Sequence, residues 1–200
     1  MIKYNGMEAK KDEGRSLPPG GYVCHIRNIE PRDGVGKNGP WKALVLSFDI
    51  LEGEYSSFFT DNYKNQEPKD GEDKKWKGNI FVGIPMDDGS DVDEIRKRQF
   101  NHLLYVLEES NKGFSFNGDE KTLVGKVIGL LFRREEWEFA GRSGWTTRAF
   151  KFVEADVIRS GDFKIPEDKP LKEKQNVAPA NAQDFMNIPD NMEDEGLPFK

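Results

Sequence analysis

Two long runs of β-forming residues joined by a short polar corner confine this chain to folds built on a β-hairpin. Residues 124–139 and 145–158 are rich in β-branched and aromatic side chains. Between them lies Ala140-Gly-Arg-Ser-Gly-Trp145, a six-residue corner in which Gly141 and Gly144 flank the two residues that reverse the chain. Alternation in the return run puts Phe150 and Phe152 on one side and Ala149 and Lys151 on the other. Arg133, Arg134, Trp137, Arg142, Trp145 and Arg148 gather at the outer end of the hairpin, where the apolar core has run out. Guanidinium groups beside indole rings suit a ligand that is both anionic and aromatic, which describes nucleic acid. The plainer alternative is a hairpin whose tryptophans pack on neighbouring loops or on each other.

The rest of the chain supplies more strands and one helix. Residues 1–19 are charged and close on Leu17-Pro-Pro-Gly-Gly21, which reads as an arm leading into the domain. Residues 21–29 then alternate, with Tyr22, Cys24 and Ile26 on one face of a first strand. Residues 31–40 hold three glycines and two prolines and read as a mobile, partly basic loop. A second strand spans 41–51, with Leu44, Leu46, Phe48 and Ile50 inward and Trp41, Ala43, Val45 and Ser47 on the other face. Residues 55–63 give a third. The crowd of Lys, Glu and Asp around Trp76 reads as a charged insertion over 64–79, and residues 78–84 as a short strand or a continuation of the third. A helix is predicted from Asp91 to about Asn111, capped by Asp91 and closed by Gly113, with Val92, Ile95, Phe100, Leu103, Val106 and Leu107 on one side.

Five antiparallel strands with a helix between the third and fourth is the order of the OB-fold, a five-stranded Greek-key barrel that binds oligonucleotides on its second and third strands and the loops beside them. The expected plan is an all-β domain over 20–160, preceded by the arm and followed by an acidic tail over 161–200. In that tail nine acids face five lysines, so most of the chain's net charge of -6 lies there, and the body retains room for a cationic groove. Its Pro, Lys, Glu, Asn and Ala cannot repay the entropy of ordering. Cys24 is the sole cysteine, which excludes an intrachain disulfide and favours a reducing compartment. No apolar run approaches the roughly 18 residues a membrane span needs, and no hydrophobic leader opens the chain, so a cytoplasmic protein with no membrane partner is expected.

The tail ends in Met192-Glu-Asp-Glu-Gly-Leu-Pro-Phe-Lys200. Acids followed by an apolar residue, Pro and Phe resemble the C-terminal tails of bacterial and phage single-stranded DNA-binding proteins. The overall layout, including the Pro-Pro-Gly-Gly-Tyr start of the first strand, is similar to the diverged OB-fold members of that family encoded by phages of Gram-positive bacteria. The resemblance implies binding of single-stranded DNA during replication and recombination in the host cytoplasm. It also implies a partner-binding tip made of Asp194, Glu195, Leu197, Pro198 and Phe199. Lys200 departs from the pattern, in which Phe is usually last and its carboxylate docks with the ring. Self-association and a preference for RNA over DNA stand open.

For a binder that tolerates any sequence, bases need flat faces and phosphates need cations. Trp41 is the leading stacking candidate, and Trp137 and Trp145 follow. Alternation turns one of Phe58 and Phe59 inward and the other outward without saying which, and Phe59 enters the candidate set with Tyr63. The phosphate candidates are Arg32, Lys37, Lys42, Arg133, Arg134, Arg142, Arg148 and Lys151. A metal-dependent nuclease is the rival from another class. However, Asp87, Asp88, Asp91 and Asp93 precede a helix, where acids serve its dipole, and they lack the Gly and Glu of a calcium loop. His25 and His102 stand alone, and no Gly-rich phosphate loop is present. No cofactor or enzymatic activity is expected; an OB module that binds peptides is the remaining alternative.

Overall fold

The computed structural model describes residues 16–36, 39–68 and 71–171. Strands β1 (Gly20–Gly36), β2 (Gly39–Ile50), β3 (Asn79–Gly83), β4 (Val127–Phe139) and β5 (Arg142–Val153) form one antiparallel sheet in the order β3-β2-β1-β4-β5. The sheet is open but curled, because its edge strands β3 and β5 come within 8 Å between Cα atoms without forming a ladder. Among the described residues three α-helices and one 3-10 helix (Glu120–Leu123) complete the fold: α1 (Phe58–Lys64) after β2, α2 (Asp91–Ser110) between β3 and β4, and α3 (Ala155–Ser160) after β5. No helix among the described residues is long and apolar enough to cross a membrane.

Alternation sorts the sheet into two faces. Cys24 and Ile26 of β1, Leu44, Leu46, Phe48 and Ile50 of β2, Ile80 and Val82 of β3, and Ile128, Leu130 and Phe132 of β4 all point into one buried cluster. Helix α2 closes that cluster with Leu103, Val106 and Leu107, which are fully buried, whereas Val92 lies exposed before the helix reaches the core. Its N-cap is Ser90, whose hydroxyl accepts from the Asp93 N–H, and not Asp91. Asp93, itself fully buried, instead accepts the Met86 and Asp87 amides and ties the preceding loop to the helix.

Four sequence expectations give way to tertiary context. The run 55–63 is a turn followed by α1, because the buried Asp49 carboxylate accepts the N–H groups of Phe59 (3.0 Å) and Thr60 (3.2 Å) and so supplies the acceptor that the start of a helix lacks. The third strand is therefore Asn79–Gly83 alone. Residues 31–36 and 39–40 are strand and not loop: β1 continues to Gly36 and β2 begins at Gly39, extending the pair as a two-stranded ribbon. Pro31 is tolerated there because β1 has already parted from β4, whose pairing stops at His25, and one edge is free of ladder bonds. The corner after β4 is a two-residue turn, Ala140-Gly141, with φ of 49° and 74°, the left-handed pair that matches strand twist.

The fourth correction concerns the return strand. A bulge between Leu131 and Phe132 leaves Phe150 unpaired, so Ala149 and Phe152 both face the core and Phe150 turns away. Residues 155–158 leave the sheet as α3, which lies across the outer face of β1 and β4. There Ile158 approaches so closely that a Cβ on Gly21 would meet it at 2.5 Å and one on Gly129 at 3.0 Å. That helix covers the centre of the outer face.

Candidate nucleic-acid interface

Beyond Phe132 the β4–β5 ribbon outruns β1 and carries two different faces. Since Leu130 and Phe132 point inward, Leu131, Arg133, Glu135, Trp137 and Phe139 point outward. Directly opposed residues share a face, so the register adds Lys151, Arg148, Thr146, Gly144 and Arg142 respectively. Arg133 lies over the displaced Phe150 ring, 4.3 Å from its centroid, and is held by Glu135 at 2.9 Å. Arg142, Arg148 and Lys151 are exposed and have no ion-pair partner among the described residues. Three unpaired cations thus share the outer face with Trp137, spread along the ribbon from its base to its tip, where Phe139 stands 72% exposed.

The opposite face holds the other two members of the predicted cluster. Arg134 stacks on Trp145 at 5.6 Å and is gripped by both carboxylate oxygens of Asp168. That pairing holds the Asp168 carboxyl below its ordinary value and raises Arg134. Asp168 belongs to a strap that runs along the free edge of β4: the Lys169 N–H donates to the Arg134 carbonyl (2.8 Å) and the Glu136 N–H donates to the Lys169 carbonyl (2.9 Å). The six residues expected to gather at the corner are therefore split, with Arg133, Trp137, Arg142 and Arg148 outward and Arg134 and Trp145 on the opposite face, where Asp168 of the strap reaches Arg134. Lys151 joins the outward set.

The β1–β2 ribbon repeats the arrangement with less charge. Arg32 lies opposite Ala43, and Trp41 opposite Gly34, both on the outer face, while Lys42 pairs with Asp33 on the other side. Arg32 sits 3.9 Å from Glu30. Next to them β3 contributes Phe81, opposite Val45 and half-buried. Phe81 and Phe139 are surface aromatics that sequence reasoning passed over. The alternation of Ile80 and Val82 would have turned Phe81 outward, but residues 78–84 carried no assigned face.

Two candidates are corrected. Phe59 is 6% exposed, edge-on to Phe48 at 5.3 Å and stacked over Phe132 at 6.4 Å, so its ring is core and no base can reach it. Tyr63 lies on α1 against Trp76 at 5.9 Å. Helix α1 follows the end of β2 remote from Trp41, roughly 30 Å away at about 3.3 Å per strand residue. Lys37 and the tail residues Asp194, Glu195, Leu197, Pro198 and Phe199 lie outside the described residues.

No protein-family profile matches the chain, and no curated protein does either. The functional reading rests on the geometry of the two ribbons.

Proposed function

We propose that this protein binds single-stranded DNA on the outer faces of the two ribbons and that its curled sheet is an OB-fold barrel. The strand order β3-β2-β1-β4-β5, with α2 between β3 and β4, supports the fold. The observation that carries the function is the row of unpaired Arg142, Arg148 and Lys151 along the outer face that also presents Trp137. Cations that follow phosphates and rings that accept bases are the two things a sequence-tolerant single-strand binder needs. The tip Leu197-Pro198-Phe199 would then recruit replication and recombination proteins in the cytoplasm of a phage-infected host.

The test is a titration with oligo-dT at about 50 and 200 mM salt. Affinity falls with salt at a log-log slope of about -0.7 for each phosphate contacted, giving about -2 from these three cations alone. No binding at the lower salt, or binding indifferent to salt, rules the proposal out.

A further inference from the structure

The chain has four tryptophans, and two of them share one unusual environment. The Trp41 ring lies so close over Gly34, its cross-strand partner, that a Cβ there would meet Cζ2 at 2.8 Å, Cε2 at 3.0 Å and Nε1 at 3.2 Å. On the other ribbon Trp137 lies over its partner Gly144, where a Cβ would meet the same three atoms at 3.0, 3.1 and 3.2 Å. Both pairs sit on the outer face, each a few residues from its ribbon's tip. Neither ring has an aromatic or cationic partner among the described residues. The other two tryptophans do, since Trp76 meets Tyr63, Phe59 and Arg27, and Trp145 meets Arg134.

Resting on the single-strand reading, we propose that Gly34 and Gly144 are positioning residues that lay Trp41 and Trp137 flat across their ribbons as two preset base-stacking platforms. A strand glycine weakens a ribbon, since it packs nothing and costs backbone entropy. Here the bare backbone lets an indole settle with one face on the peptide plane and the other turned to solvent. A ring already fixed in that pose loses little rotamer freedom when a base stacks on it. Any side chain at the glycine lifts or tilts the ring and leaves the fold intact, because the displaced atoms belong to a ring outside the buried core. The competing role is purely structural: a ring folded over a strand glycine can shield the backbone and stabilise the ribbon.

The two roles separate in a double-mutant cycle. Gly144→Val introduces a residue that suits a strand, so the melting temperature holds or rises. At the same time oligo-dT affinity falls at least about 5-fold, the lower bound of one lost base stack. Gly144→Ala falls between valine and the native residue. In a Trp137→Ala background Gly144→Val changes nothing further, because the platform it disturbs is already gone. The Gly34 and Trp41 pair behaves in the same way. Unchanged affinity in Gly144→Val overturns the proposal, as does an equal loss with and without Trp137. A native chain that binds no oligo-dT overturns the functional reading as well, whereas an additive cycle on a native chain that does bind overturns this inference alone.

Discussion

The two ribbons are built alike and charged differently. Each leaves the sheet as a pair of strands, and each carries one tryptophan over a glycine on the outer face. On the β1–β2 ribbon the only cation of that face among the described residues is Arg32, beside Glu30. On the β4–β5 ribbon Arg142, Arg148 and Lys151 stand free, and the strap at residues 165–171 braces the edge and neutralises Arg134 on the far side. On the proposed function, stacking would be distributed over both ribbons, while attraction for phosphate would be concentrated on one. Local potential decides where a polyanion lands, so a chain of net charge -6 can still hold a single strand.

The largest effect should come from erasing that contrast. Replacing Arg142, Arg148 and Lys151 together by Ala lowers oligo-dT affinity roughly 100-fold at low salt, taking on the order of 1 kcal/mol per contact. The log-log salt slope becomes shallower by about 2. The matching change on the other ribbon, Arg32→Ala with Lys42→Ala, costs far less, because Arg32 is already near a carboxylate and Lys42 faces Asp33. Equal losses from the two sets would break the comparison.

The alternating inner faces of β1, β2 and β4 were legible because a buried face and a period of two leave little freedom: Leu44, Leu46, Phe48 and Ile50 are core as their spacing demands. The β1–β2 ribbon was not, since the glycines and prolines that read as a loop are the residues that let an indole and a free edge coexist. Tyr55 to Tyr63 alternates as well as a strand does, yet one buried carboxylate, Asp49, captures its amides and winds it into α1. At the corner, residue types were readable and the division between Arg133 and Arg134 follows from parity. The bulge that frees Phe150 and the grip of Asp168, 34 residues from Arg134, depend on register and on long-range return of the chain.

The smallest effect concerns the strap that distinguishes the β4–β5 ribbon. Asp168 binds its proton more weakly in the folded chain than its ordinary 3.8, so its contribution is complete above that value and is lost as pH falls through the lower folded one. Amide protection at Glu136 and Lys169 should therefore weaken below about pH 4 and hold above it. Asp168→Asn should show the weakened protection already at neutral pH. An unaltered profile in that variant would mean that the backbone pairing and the contacts of Glu135 and Glu136 hold the strap without Asp168.

The most direct test of the central claim is a competition between oligo-dT and a duplex of equal length for the native chain at low salt, read by tryptophan emission. Bases can stack on Trp41 and Trp137 only when unpaired, so the single strand should bind much more tightly and quench the indoles, while the duplex displaces it poorly. Equal affinity for the two, or binding without any change in tryptophan emission, would contradict the account.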